Sequence, residues 1–169
     1  MSYTVTSVSE VPDRNALDAM LHVYMDGMLD KLVATGGPRL RSADVLAGLW
    51  DDIDAYLPPT GRLVLAHDAD GVLAGCGFMR QVRPDAGELK RLYVRPEARG
   101  QSLGRRLVLA RLDAAREMGW KTLLVDTVKG NTAMLTLYRD LGFRSIGRYP
   151  ENANRPDYAP HLEFLQLDL

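Results

Sequence analysis

Residues 61 to 94 carry three apolar runs, "RLVLAHD", "VLAGCGFMRQV" and "ELKRLYV", separated only by "DADG" and "RPDAGE". Two short glycine-containing connections leave room for hairpins and nothing else, so this fifth of the chain reads as an antiparallel meander. The segment after it is different. "RPEARGQSLGRRLVLARL" (95 to 112) passes from a strand end into an amphipathic helix, with Leu103, Leu107, Ala110, Ala114 and Met118 on one face and Gly119 as its C-terminal stop. "KTLLVDT" is a further strand and "NTAMLTLYRDL" a helix stopped at Gly142, followed by the strands "FRSIGRY" and "LEFLQLDL". A strand joined through a helix to another strand of one sheet needs a crossover.

Before the meander, "YTVTSV" reads as a strand. Leu17, Met20, Leu21, Tyr24, Met28 and Leu32 recur at helical spacing over Ala16 to Lys31. "ATGGPRLRS" breaks that helix. Ser42 can cap a second one, with Leu46, Leu49, Trp50, Ile53 and Leu57 as its stripe up to "LPPTG". The order is β-α-α-β-β-β-α-β-α-β-β. It predicts an α/β fold of the α+β kind, with a mixed, largely antiparallel sheet of six to seven strands and about four helices. One domain over residues 1–169 is expected, since the chain has no repeats and no linker.

The net charge of −1 does not suit a protein that coats nucleic acid or an anionic membrane, so neither is expected as a partner. No apolar run approaches the roughly 18 residues of a membrane helix. The N-terminus lacks a basic segment followed by an apolar run, so no signal peptide is read, and the cytoplasm is the default address. The three histidines (His22, His67, His161) show no metal-ligand spacing, and no metal is expected. The single cysteine, Cys76, lies inside "VLAGCGFM" and reads as a small buried hydrophobe.

Positive charge is nevertheless concentrated in residues 95 to 111, which hold five arginines. Backbone N–H groups at a helix start lack intrahelical acceptors and favour an anion, phosphate above all. Gly100 and Gly104 would let the backbone approach a pyrophosphate, and Arg99, Arg105 and Arg106 could add charge. Neither G-x-G-x-x-G nor the P-loop pattern is present. The alternative is a basic connection whose arginines are merely solvated.

"RPEARGQSLG" after "ELKRLYV" resembles the pyrophosphate loop of the GNAT superfamily of acyl-CoA-dependent N-acyltransferases, R/Q-x-x-G-x-G/A. Arg99 and Gly104 stand at the outer positions and Ser102 replaces the inner glycine. A second signature of that family is matched by Asn131, Leu137-Tyr138 and Gly142-Phe143. The resemblance implies acetyl-CoA as cosubstrate and a primary amine of a small molecule or peptide as acceptor, acetylated by direct transfer, and it allows a homodimer. It implies that the strand of Leu92, Tyr93 and Val94 is bulged and splayed and holds the pantetheine arm and thioester carbonyl. The loop amides of Gln101, Ser102, Leu103, Gly104, Arg105 and Arg106, beside Arg99 and Gly100, would hold the pyrophosphate, and Asn131 would contact the cofactor. A non-catalytic acyl-CoA-binding sensor is the alternative.

Acyl transfer to an amine needs a base, because an alkylamine near pKa 10.4 is only about one part in a thousand neutral at pH 7. Glu88 matches the position where several family members carry that base; otherwise it is an exposed charge at a strand end. Tyr138 matches the family's general acid near the thioester sulfur; otherwise it packs on the sheet with Met134, Leu137 and Leu141. Asn131 could also be only a helix cap. The acceptor site is expected between the first two helices, the loop "VATGGPRLRS" and the loop "PENANRPDYAPH". Arg39, Arg41 and Arg155 could bind an acceptor's anion there or be solvated.

Overall fold

The computed structural model describes residues 2–169. Seven strands, β1 (Thr4–Val8), β2 (Gly61–His67), β3 (Leu73–Arg83), β4 (Ala86–Val94), β5 (Thr122–Val128), β6 (Arg144–Ile146) and β7 (Leu162–Asp168), form one sheet in the order β1-β2-β3-β4-β5-β7-β6. Every pairing is antiparallel except β4 with β5. That pair is joined through α3 (Leu103–Glu117), which makes the crossover a parallel connection requires. The other helices are α1 (Arg14–Ala34), α2 (Ser42–Leu46) and α4 (Thr132–Asp140). The expected element order and mixed sheet are thus found, with seven strands.

Helices cover both faces. On one, α3 and α4 pack Leu103, Leu107, Val108, Leu112, Leu135 and Tyr138 against Val64, Met79, Leu89, Leu92, Leu123 and Val125. On the other, α1 and α2 bury Leu17, Met20, Leu21 and Leu46 against Leu63, Leu65, Cys76 and Phe78, and Leu29 and Leu32 of α1 meet Leu124, Val128 and Phe164. Asp13 caps α1 by accepting the Ala16 N–H at 2.9 Å. No described helix is long and apolar enough to cross a membrane.

Two local expectations are corrected. The second helix was expected from Ser42 to Leu57 but ends at Leu46; turns carry the chain to a single 3₁₀ turn at Ile53–Tyr56. Leu49 and Leu57 are buried all the same, so the apolar stripe reports burial here and not continuous helix. Gly48 and the aspartates at 51 and 52 are the residues that favour turns over helix. The second correction is at the β3–β4 hairpin. Its turn is Pro84-Asp85, so Glu88 is the third residue of β4 and lies opposite Arg80 rather than at an exposed strand end.

Candidate active site

The site is made by two irregularities in β4. The first is a bulge. Cys76 pairs with Tyr93 and Phe78 with Lys90, so Gly77 alone faces two residues, Arg91 and Leu92. Arg91 takes φ +48°, and its carbonyl accepts the Cys76 thiol at 3.6 Å. The extra residue changes which way side chains face. Leu89, Leu92 and Val94 lie on the α3 side and Tyr93 on the α1 side, while the Arg91 guanidinium lies beside Tyr56 and Phe78 of the α1 side. Lys90 and Arg91 therefore both leave the α3 face.

The second irregularity is a fork. β4 and β5 pair from Ala86↔Thr122 only to Leu89↔Val125, although β4 runs on to Val94 and β5 to Val128. At the first unpaired position the Lys90 ammonium meets Asp126 Oδ1 at 2.7 Å, bridging the opening. A cleft of about 660 Å³ enters there. Its walls mix residues of both faces: Leu89, Leu92 and Tyr138 from the α3 side, Tyr24, Met28 and Tyr56 from the α1 side. Such a cleft passes into the sheet instead of lying on it. Leu40, Ala153, Asn154, Arg155 and Tyr158, from the two loops expected around an acceptor, also line the cleft, with Asp44 of α2.

Tyr138 is 3% exposed and lines the cleft from beneath. Burial pushes its phenol pKa up, and the neighbouring Arg111 guanidinium pulls it back down. Arg111 is an unexpected feature. It is 0% exposed in the middle of α3 and ion-pairs with no carboxylate among the described residues. It donates from Nε to the Leu107 carbonyl at 3.1 Å, and from Nη1 to the carbonyls of Phe78 at 3.0 Å and Lys90 at 3.4 Å. It thus ties the two strands together beside the bulge. Gly77 makes room for it: a Cβ there would stand 2.8 Å from Nε and 2.9 Å from Cζ. The sequence reading missed Arg111, although its place between Leu107 and Ala114 on a buried face is a legible signal.

Glu88 has no exposed surface and does not line the cleft. Its carboxylate accepts the Tyr149 hydroxyl at 2.6 Å, pairs with Arg80 at 2.9 Å and with Lys90 at 3.2 Å. Asp126 does line the cleft, held by Lys90 and by the Asn154 amide. It too was missed, because nothing in "LLVDTV" marks one aspartate as special. Asn131 is buried, accepts from the Lys31 ammonium at 3.0 Å and donates to the Thr127 hydroxyl at 3.0 Å. It stands at the start of α4, but its side chain makes no cap hydrogen bond.

The loop before α3 lies outside the cleft's lining. Among the described residues, none of the N–H groups from Gly100 to Arg105 has a hydrogen-bond acceptor within the protein, and Arg106 N–H is the first to be used, by Ser102 O at 3.0 Å. Arg106 is occupied at its other end too, donating to the Tyr3 carbonyl at 2.9 Å. Gly100 and Ser102 both take left-handed angles, φ +74° and +57°. Ser102 precedes α3 but makes no side-chain cap bond. Gly104 needs neither positive φ nor tight space, as an added Cβ would meet only ordinary contacts at 3.8 and 3.9 Å. Its lack of a side chain leaves open the space between the loop, Val94 and Leu137. Among the described residues Arg99 and Lys31 have no carboxylate partner, and burial followed by the Arg99 charge pushes the Lys31 ammonium pKa down. Arg41 and Arg155 are each held bidentately by an aspartate, Asp44 and Asp157. The described residues hold no cluster of three or more metal-ligating side chains.

A mixed sheet forked between two parallel central strands, with free amides at the following helix start, defines the class of this protein. The acetyltransferase (GNAT) family model matches residues 28–143, and the chain belongs to that family. An uncharacterised N-acetyltransferase of Schizosaccharomyces pombe is 31% identical over 115 residues, which are 68% of this chain and 68% of that protein. The L-methionine sulfoximine/L-methionine sulfone acetyltransferase of Pseudomonas paraeruginosa is 32% identical over 111 residues, 63% of this chain and 64% of that one. The Bacillus subtilis acetyltransferase solved in complex with CoA shares the fold, with a TM-score of 0.67 at 20% identity over 99% of both chains.

Proposed function

We propose that the chain moves an acetyl group from acetyl-CoA to a primary amine by direct transfer within the β4–β5 fork. The observation that carries this reading is the fork itself: it opens beside an unpaired bulge, and a buried tyrosine lies at its floor. Acetyl-CoA supplies the activated acetyl thioester. The residues present suit it. The free amides of Gly100 to Arg105 and the bare Gly104 form a cradle for a pyrophosphate, with Arg99 and Lys31 adding charge. Leu92, Tyr93 and Val94 would carry the pantetheine arm along the bulged strand. The bulge leaves Arg91 and Leu92 without cross-strand partners, so backbone N–H groups here can stabilise charge developing on a carbonyl oxygen.

Tyr138 donates the proton that a departing thiolate needs. Its raised phenol pKa keeps it protonated at neutral pH, and it lines the fork where the sulfur would leave. The proton released by the ammonium has two carboxylate destinations. Asp126 is in the cleft wall; Glu88 lies behind it and would act at one remove through Lys90. Glu88→Gln and Asp126→Asn separate them, as only the true acceptor's loss removes the acidic limb of the rate profile.

The test of the function is free-thiol release from acetyl-CoA with a panel of primary amines, with CoA binding followed by calorimetry. Tyr138→Phe should lower kcat about 10- to 100-fold with CoA affinity nearly intact. Saturable CoA binding without turnover would instead support a sensor, and no binding at millimolar CoA would end the assignment.

A further inference from the structure

We propose that Arg91 receives a carboxylate of the acceptor, so that the amines acetylated here are amino acids and not plain alkylamines. The inference rests on the cleft being the transfer site argued above.

The charges around the cleft are nearly all spoken for. Glu88 is satisfied by Arg80, Lys90 and Tyr149, and Asp126 by Lys90 and Asn154. Asp44 is held by Arg41, and Arg155 by Asp157. Asp52, also in the lining, is exposed to solvent. One cation is left over in the wall. Among the described residues Arg91 has no carboxylate within ion-pair distance; its Nη1 donates to the Tyr56 hydroxyl at 3.0 Å, and its buried Nε has no hydrogen-bond partner. Tyr56 and Phe78, whose rings stand nearly perpendicular, flank the guanidinium, with Cζ 5.5 and 5.9 Å from their ring centres. A planar fork flanked by aromatic rings, whose Nη2 has no hydrogen bond among the described residues and is not among the sealed-off polar atoms, fits a carboxylate.

The backbone spends strain to put it there. Among the described residues Arg91 is one of two non-glycine residues with positive φ, and as the extra residue of the bulge it lines the cleft beside Lys90 instead of packing under α3. It is also the neighbour of Leu92, which lines the fork with Tyr138. A group held by Arg91 therefore lies in the same cleft as the transfer point. An α-amino acid meets this geometry because a single carbon separates its amine from its carboxylate. Tyr24, Met25, Met28 and Leu49 give the same cleft an apolar wall for a side chain.

The experiment compares kcat/KM for L-methionine, L-methionine sulfone and L-phenylalanine with that for their carboxamides, which keep the amine and side chain and lose the charge. The wild-type chain should favour the carboxylates by about 10- to 100-fold, the worth of one charge-assisted pair. Arg91→Met should bring that ratio towards one, and Arg91→Lys should restore part of it, with CoA calorimetry reporting that each variant is folded. Equal rates in the wild type, a carboxamide preference, or a ratio that survives Arg91→Met overturns the proposal. So does turnover of other amines, such as spermidine or a peptide N-terminus, with none of these six compounds accepted. Absence of thiol release with every amine is a different result, and it removes the acetyltransferase reading along with this one.

Discussion

Gly77→Ala and Arg111→Met, separately and together, probe how the bulge is held. Gly77 has no positive φ, so alanine can adopt its backbone and any cost comes from space. The new methyl would stand 2.8 Å from Arg111 Nε, 2.9 Å from Cζ and 3.3 Å from Nη1. The guanidinium must retreat by several tenths of an ångström, yet it is fully buried and anchored to Phe78 O at 3.0 Å and Leu107 O at 3.1 Å. Overpacking of this kind costs roughly 1–3 kcal/mol. The lost freedom of the unfolded glycine offsets about 0.4–1 kcal/mol. Gly77→Ala alone should therefore destabilise by about 1–2 kcal/mol, which for a chain of this size lowers Tm by roughly 2–8 °C.

In the Arg111→Met background the outcome should differ. A flexible thioether has no carbonyls to hold and can swing aside. The alanine should then cost nothing or stabilise slightly, giving a coupling energy of about 1–2 kcal/mol between the two sites. Urea unfolding of the four proteins measures it directly. Additivity within 0.5 kcal/mol would refute the reasoning, because it would mean that the guanidinium does not occupy the space Gly77 leaves.

The remaining predictions concern the loop and the buried thiol. Ser102 sits at φ +57°, where an L-residue loses about 1–2 kcal/mol, so Ser102→Gly should gain up to about 1 kcal/mol after its own entropy cost and bind CoA at least as well. Ser102→Pro, fixed near φ −65° and without an N–H, should abolish CoA binding by calorimetry; normal binding would place the amide cradle elsewhere. Burial pushes the Cys76 thiol pKa up to about 12 from 9.0. The unfolded chain then ionises first, so the thiol's contribution to stability is whole below about pH 9 and is lost as the pH rises toward 12. Unfolding free energy should be flat from pH 7 to 9 and then fall, and native Cys76 should resist a thiol reagent at pH 8 that labels it in urea; rapid native labelling would contradict its burial.

The hairpins and the α3 crossover were readable because each depends on short-range facts: glycine turns, apolar periods and a strand too close to its successor to need a helix. The early end of α2 was not, since Leu49 and Leu57 reach the core equally well from turns, and period alone does not distinguish the two. Glu88 was misjudged for a related reason. Its surroundings come from Arg80 across the hairpin and from Tyr149, sixty-one residues away, which only the closed sheet brings together. The fork is a backbone event and leaves no mark on side chains. The bulge does leave one. In "ELKRLYV" the residues that bury on the α3 side are Leu89, Leu92 and Val94, a spacing of three and then two where an unbroken strand would give two throughout. One residue too many stands between the leucines, and the pair caught there is Lys90-Arg91. A strand buried on both faces has no cheap place for two adjacent charges unless the backbone turns both toward an opening. That broken alternation, more than the glycines of the loop, is where the sequence announces a cleft.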